Sequence, residues 1–169
     1  AYEIPKRDWS SDVCSSDLME AISAFLGTRE GDAFGLTFFG SSVLHWAPLT
    51  TDTSAIRCAL PFMRPERVPR WFGGTEIGRA LLAAADVLDR RPDGDRAIVL
   101  VSDGMSSDLD AGNDARVAAH LRDKRIRLWT IHIGGGPIPP EIVDLAAGDR
   151  KSTRLNSSHV SESRMPSSA

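Results

Sequence analysis

The sequence predicts an α/β fold: a doubly wound, mainly parallel sheet flanked by helices. Residues 96–104 (RAIVLVSDG) and 126–136 (IRLWTIHIGGG) are continuous apolar runs, which are typical of strands buried on both faces of a parallel sheet. Segments with the apolar spacing of amphipathic helices lie between and after these runs. Strands and helices that alternate at this spacing indicate parallel strands joined by helical crossovers.

The first half of the chain contains two predicted strands and a helix. Residues 33–40 (AFGLTFFG) form an apolar run bounded by glycine, and residues 43–49 (VLHWAPL) can pair with it. Residues 52–63 have helical spacing, and Asp52 or Thr53 is the predicted N-cap. A side-chain oxygen at that position accepts a hydrogen bond from a backbone N–H that has no partner within the helix.

The second half contains three predicted helices. Residues 75–91 give the clearest pattern, because their apolar side chains fall on one helical face. Residues 114–124 are amphipathic, and residues 139–148 open with prolines, which the first turn of a helix tolerates. The acidic stretch 108–116 lacks the spacing of a calcium-binding loop. It is predicted to be a solvated loop, with Asn113 capping the helix that follows.

Composition excludes several classes of protein. The chain of 169 residues is long enough for one domain with a sizeable core. Its formal net charge of -3, without a basic block, argues against binding to nucleic acid or to an anionic membrane surface. The two cysteines, Cys14 and Cys58, form neither a disulfide framework nor a zinc-binding pattern. No apolar run approaches the length of a transmembrane helix.

The two ends of the chain resemble translated sequencing adapter. Residues 8–18 (DWSSDVCSSDL) match one reading frame of a common short-read adapter, and residues 149–159 (DRKSTRLNSSH) match its reverse complement. An eight-base index word, TCCGAAAC, completed by two fixed adapter bases on each side, encodes residues 4–7 (IPKR). The reverse complement of that word encodes residues 160–162 (VSE). An evolved protein has no reason to satisfy this reciprocal constraint.

The adapter resemblance divides the chain into three segments. Residues 1–18 and 149–169 are predicted to be non-native. Like other non-native segments, they carry no information about the native fold. Residues 19–148 are predicted to be a partial native domain. The DVCSS sequence at 12–16 differs in one position from an Asp-x-Ser-x-Ser metal loop. No apolar strand precedes it, so the likeness is interpreted as coincidence.

Four motifs within residues 19–148 resemble a bacterial von Willebrand factor type A domain, closest to its Bat-like, aerotolerance-type branch. The resemblance implies the doubly wound fold and, commonly, a metal-ion-dependent adhesion site. Such a site is built from three loops: an Asp-x-Ser-x-Ser loop, a loop with a Thr and a loop with an Asp. The motifs, in order along the chain, are residues 31–52 (GDAFGLTFFGSSVLHWAPLTTD), 72–88 (FGGTEIGRALLAAADVL), 96–107 (RAIVLVSDGMSS) and 126–136 (IRLWTIHIGGG).

The resemblance assigns two metal-site residues. Thr75, in a Gly-Gly-Thr sequence, matches the second loop, and Asp103, in LVSDG, matches the third. It implies that Mg²⁺ binds the Thr75 hydroxyl directly and Asp103 through water, and that a protein partner's Asp or Glu carboxylate completes the coordination. Taken singly, Thr75 could instead cap a helix, and Asp103 could be a turn residue before Gly104.

The resemblance also implies what residues 19–148 lack. The first strand with its Asp-x-Ser-x-Ser loop, and the last strand, are expected to lie outside them. The implied function is a protein-binding module, not an enzyme, in a parent protein that is membrane-anchored or periplasmic. The alternative is an α/β hydrolase or a nucleotide-dependent enzyme, for which only the fold class speaks. Its candidate residues at the sheet edge are Ser102 and Asp103, with no histidine assigned beside them.

Overall fold

Helices and strands follow one another in nearly the predicted order. The computed structural model describes residues 11–62, 72–91, 94–133 and 136–148, with the backbone alone for residues 11–16. A short 3₁₀ helix, Leu60–Phe62, extends the second helix. The elements are α1 (Ser11–Gly27), β1 (Phe34–Phe39), β2 (Val43–Thr50), α2 (Thr53–Ala59), α3 (Ile77–Asp89), β3 (Arg96–Ser102), α4 (Asn113–Asp123), β4 (Ile126–His132) and α5 (Pro140–Gly148).

The predicted pairing of β1 with β2 is present, and a second pair joins β3 to β4. β1 and β2 form an antiparallel hairpin, with a register irregularity between Phe34 and Thr37. β3 and β4 are parallel and in continuous register, from Arg96 opposite Ile126 to Ser102 opposite His132. A parallel pair needs a long crossover connection, and α4 supplies it.

The described strands form two separate two-stranded sheets, β1–β2 and β3–β4. Helix α3 contacts β1, β2 and β3, so one helix lies across both sheets. Among the described residues, each of the four strands pairs on one side only. The expectation that the first strand lies outside residues 19–148 stays a prediction.

The expectation that β3 is buried on both faces is wrong for this chain. Leu100 is 5% exposed, whereas Val99, which points to the opposite face, is 47% exposed. Side chains alternate between the two faces of a strand. Helix α3 packs against β3, and the described elements leave the Val99 side open to solvent.

The main core lies where α3, α4 and α5 meet the β3–β4 sheet. The predicted apolar face of α3 supplies Ile77, Leu81 and Ala85, each at most 1% exposed. Leu82 and Leu88 of the same face are partly buried and pack against this cluster. The buried members from the other elements and the β3–α4 loop are Leu100, Leu109, Val117, Ala118, Leu121, Ile126, Leu128, Ile142 and Leu145.

One of the two predicted helix caps is present and the other is not. Asp52 is the N-cap of α2, as predicted, and its carboxylate accepts a hydrogen bond of 2.9 Å from the Ser54 backbone N–H. Asn113 is not the cap of α4, because Gly112 occupies that position with a φ of 83°. The preceding loop is not simply solvated, since Leu109 is 2% exposed.

Helix α1 starts earlier than the sequence pattern suggested. It begins at Ser11, within a segment that shows no helical periodicity and was assigned to the adapter. The segment from Ser11 to Leu26 contains neither proline nor glycine, so a helix formed at Met19 and beyond can propagate backwards at little cost. The adapter assignment of residues 1–10 and 149–169 lies outside the described residues and stays a prediction.

Asp89 gives the fold a dependence on pH. Its carboxylate accepts hydrogen bonds from Lys124 Nζ at 2.7 Å and Arg96 Nη1 at 3.0 Å, which join the end of α3 to α4 and β3. The hydrogen bond from Lys124 lowers the pKa of Asp89 below its ordinary value. A carboxylate with a depressed folded-state pKa stabilises the protein above its unfolded pKa, and this contribution is lost as the pH falls through the folded value.

The melting temperature should therefore decrease once the pH is lowered beyond about 4, the ordinary pKa range for Asp. Asp89→Asn should be less stable at neutral pH and should show a shallower decline in acid. Thermal melting between neutral pH and strong acid, beside the exposed control Glu30→Gln, measures this difference. Identical pH profiles for Asp89→Asn and the unmodified chain would contradict the expectation.

Candidate metal centre

Asp103 lies directly after the last residue of β3, at the carboxyl end of the strand. Its Oδ1 accepts a hydrogen bond of 3.1 Å from the Met105 backbone N–H, and a longer one of 3.4 Å from Ser102 Oγ. Gly104 N–H donates to Ser102 Oγ at 3.1 Å, which closes the turn. Asp103 is exposed, and its Oδ2 accepts no hydrogen bond from the described residues. One carboxylate oxygen is thus free to bind water.

Thr75 lies in the loop before α3 and is joined by its backbone to the loop that follows Asp103. The Thr75 carbonyl accepts hydrogen bonds from Ser107 N–H at 2.9 Å and from Ser107 Oγ at 3.1 Å. Thr75 does not cap α3, since Glu76 occupies the N-cap position and makes no side-chain cap bond. Within the described part of the chain, the Thr75 hydroxyl has no hydrogen-bond partner. The structure therefore brings together the two loops that carry the predicted ligands.

A third loop, between β1 and β2, supports the Thr75 loop. Glu76 N–H donates to the Gly40 carbonyl at 3.1 Å, and Ser41 N–H donates to the Gly73 carbonyl at 3.2 Å. A Cβ atom at Gly40 would lie 1.9 Å from the Phe72 carbonyl oxygen, so only glycine fits there. Sequence reasoning missed this role of Gly40. The available signal was a glycine at the end of the apolar run 33–40.

Gly40→Ala should disturb the Thr75 loop. The new methyl group would meet backbone, which cannot rotate away as a side chain can, so the loop around Phe72 must move. Overpacking of this kind costs about 1–3 kcal/mol of unfolding free energy. Urea denaturation measures it beside Gly136→Ala, because a Cβ at Gly136 meets nothing within 4 Å. Equal stabilities of the two variants would count against the close approach.

His132 is the histidine that the sequence did not assign to this edge. It stands opposite Ser102 in the parallel register of β3 and β4. His132 Nε2 is 3.2 Å from the Gly136 carbonyl oxygen, and its buried Nδ1 has no hydrogen-bond partner among the described residues. Ser102 and His132 are neighbours that do not form a hydrogen-bonded nucleophile–base pair.

The free oxygen atoms of Thr75 and Asp103 fit part of a magnesium site. A hydroxyl and a carboxylate are hard oxygen ligands of the kind that Mg²⁺ binds, and Mg²⁺ keeps several waters in its octahedral shell. In the described ranges no group of three or more His, Cys, Asp or Glu side chains could hold a metal ion. Thr75 and Asp103 alone would leave most positions of such a shell to other donors.

The chain belongs to the von Willebrand factor type A domain family, whose profile matches residues 15–106, more than half of its length. Its fold is similar to that of an aerotolerance-related membrane protein from Bacteroides fragilis, with 20% identity and a TM-score of 0.69. That alignment covers 84% of this chain and 81% of the other. No curated protein sequence matches.

Two further solved structures are similar in fold. BatB from Bacteroides thetaiotaomicron is 19% identical with a TM-score of 0.70, over 85% of this chain and 80% of that protein. Manganese-loaded TRAP protein from Plasmodium vivax is 19% identical with a TM-score of 0.63, over 82% of this chain and 57% of that protein. The predicted α/β fold class is confirmed. Among the helices of the described residues, none combines the length and the apolar character that a membrane span requires.

Proposed function

We propose that this domain is a protein-binding module that uses Mg²⁺ to hold a carboxylate of its partner. The observation that carries the proposal is the backbone bridge between the Thr75 loop and the loop after Asp103, with the Ser107 N–H to Thr75 carbonyl distance at 2.9 Å. Two side-chain oxygens at these loops, the Thr75 hydroxyl and Asp103 Oδ2, have no hydrogen-bond partner among the described residues. Membership of the von Willebrand factor type A family supports the same assignment.

In the proposed site, the Thr75 hydroxyl is a direct ligand and Asp103 acts through water. An Asp or Glu of the partner protein fills the position that the domain leaves open, since Mg²⁺ prefers six oxygen ligands. The manganese-loaded state of the Plasmodium vivax TRAP protein supports a divalent ion in this fold. Mn²⁺ shares with Mg²⁺ its preference for carboxylate, carbonyl and water oxygens, so it is a suitable probe.

Removal of the Thr75 hydroxyl should weaken metal binding. Thr75→Ala loses a neutral ligand while the backbone bridge to Ser107 stays, so the affinity for Mn²⁺ should fall about tenfold or more. Titration of the full chain with Mn²⁺, followed by electron paramagnetic resonance, measures the fall. Thr51→Ala, at an exposed position, is the control. Equal affinities of the two variants would refute the role of Thr75.

The proposed class is a binding module and not an enzyme. The relation of Ser102 to His132 supports this choice, because among the described residues the serine hydroxyl makes no hydrogen bond to that imidazole. Turnover of a phosphate or acyl ester, abolished by Asp103→Ala, would favour the hydrolase alternative. The net charge of -3 supports a protein partner over nucleic acid.

The proposed parent protein is a membrane-associated member of the Bat-like branch. The similarity in fold to a membrane protein related to aerotolerance supports this placement. In such a parent, the metal site would face partners at the membrane or in the periplasm. Fractionation of cells that produce the parent would test the location, and recovery of the parent only from the soluble cytoplasm would contradict it.

We also propose that residues 1–18 and 149–169 are translated adapter. The reciprocal index in residues 4–7 and 160–162 is the supporting observation. Sequencing the genomic region again by a method without this adapter should give different codons on both sides of residues 19–148. Recovery of the same serine-rich ends, with serine codons unlike those of the adapter, would overturn the proposal.

A further inference from the structure

Asp108 makes an unusual set of contacts for a loop carboxylate. It lies in the β3–α4 loop and is half-buried. Its Oδ1 accepts from the Gly78 N–H at 3.0 Å and from Ser106 Oγ at 2.7 Å. Its Oδ2 accepts from the Arg79 N–H at 2.8 Å. Asp108 thus caps α3 from 30 positions later in the chain.

Helix α3 depends on this distant cap because its own N-cap residue provides none. The first backbone N–H groups of any helix lack partners within it. Glu76 makes no side-chain cap bond, while Ser106 Oγ accepts from the Ile77 N–H at 3.0 Å. A carboxylate at this position also meets the positive end of the helix dipole. Hydrogen bonds to a charged acceptor are roughly twice as strong as neutral ones.

The loop that carries Asp108 is anchored on its other side as well. Leu109 is 2% exposed and belongs to the core cluster. The Asn113 side chain donates to the Asp108 carbonyl, which holds the loop against the start of α4. Gly78 permits the close approach, because a Cβ there would lie 3.1 Å from Asp108 Oδ2. The Asp108 carboxylate and backbone are therefore both held by hydrogen bonds.

We propose that Asp108 is a positioning residue of the metal centre, which keeps the Thr75 loop and the Asp103 loop in place relative to each other. The expected effect of Asp108 on metal binding rests on the proposed function, whereas its hydrogen bonds to α3 do not. Thr75 lies just before the helix turn that Asp108 caps, and Ser107, which bridges to the Thr75 carbonyl, is the neighbour of Asp108. Release of the cap would let the two loops separate.

Asp108→Asn tests the proposal, with Asp110→Asn as the matched control. An asparagine accepts through one oxygen only and turns its NH₂ group towards a helix N–H. Amide hydrogen exchange at Gly78 and Arg79 should accelerate about tenfold or more in Asp108→Asn, since each lost bond to a charged group carries more than one factor of ten. Exchange at Ser107, whose N–H donates to the Thr75 carbonyl, should also accelerate if release of the cap separates the two loops. Asp110 is exposed in the same loop, so Asp110→Asn should leave these rates unchanged.

Two further readouts separate positioning from general stability. The Ile133 N–H, which donates to the Ser102 carbonyl at 3.0 Å, reports on the β3–β4 sheet and should keep its exchange rate in Asp108→Asn. Asp108→Glu keeps the charge and both oxygens, and should restore part of the protection at Ser107. If Asp108→Asn and Asp108→Glu lose equal protection from exchange at Ser107, and protection at Ile133 is lost as well, the role of Asp108 is merely structural and the proposal is overturned.

The affinity for Mn²⁺ is the final measurement. If the full chain binds Mn²⁺, Asp108→Asn should weaken the affinity about tenfold, because a ligand loop has lost its outer support, and Asp110→Asn should not. Absence of Mn²⁺ binding in every variant would reject the proposed function alone, while the exchange rate at Ser107 would still decide whether Asp108 holds the loops. Unchanged exchange at Ser107 in Asp108→Asn would reject the positioning role.

Discussion

Leu81→Ala should lower the free energy of unfolding by about 3–5 kcal/mol, the range found for buried leucines whose surroundings relax little. Leu81 is 1% exposed and lies on α3, the helix that contacts both sheets. A cavity here therefore weakens the core and also the link between the two halves of the fold. Since net stabilities are only about 5–15 kcal/mol, this single change could remove most of the total.

Urea denaturation, followed by circular dichroism, measures the loss. Leu44→Ala on β2 is the matched control, because the same atoms are removed from a side chain that is 44% exposed. The control should change the stability by no more than about 0.5 kcal/mol. Similar losses at the two positions would mean that α3 does not form the centre of the packing.

Supplying an extended apolar strand should raise the stability of the chain by several kcal/mol. Each strand of the two sheets has one unpaired edge among the described residues, and Val99 and Ile131 are 47% and 36% exposed. Unpaired strand edges promote association between chains. A buried donor or acceptor without a partner costs about 1–3 kcal/mol, so one missing ladder can exhaust the net stability.

The experiment replaces residues 1–18 with an apolar strand followed by an Asp-x-Ser-x-Ser loop. The chain of 169 residues is expected to melt at a lower temperature than the replaced version, and to bind Mg²⁺ weakly. The replaced version should melt cooperatively and gain thermal stability with Mg²⁺, since an ion that binds only the native state stabilises it. A version with proline in the middle of the new strand should lose the gain, because proline cannot donate to a ladder.

Thermal melting with and without Mg²⁺ distinguishes the outcomes. A melting temperature of the original chain that equals that of the replaced version and that Mg²⁺ raises as much would contradict the prediction. It would also mean that residues 12–16, which form part of α1, serve the metal site after all. The interpretation of the N-terminal segment as adapter would then have to be abandoned.

The sequence by itself determined the local elements and the family. The apolar runs of β3 and β4, the one-sided apolar pattern of α3 and the Asp52 cap of α2 each depend on residues close together in the chain. For such features, period and capping chemistry are sufficient. Thr75 and Asp103 could be singled out because their motifs are short and continuous.

Only the tertiary structure decided how these pieces meet. The cap that Asp108 provides for α3, the bridge from Ser107 to Thr75 and the close approach of Gly40 to Phe72 each join separate loops. Such contacts leave no periodic pattern in the sequence, because they join residues that are far apart in the chain and meet only in the folded protein. The open face at Val99 was decided in the same way: an apolar run shows that a strand can be buried, but the neighbouring elements determine which faces are covered.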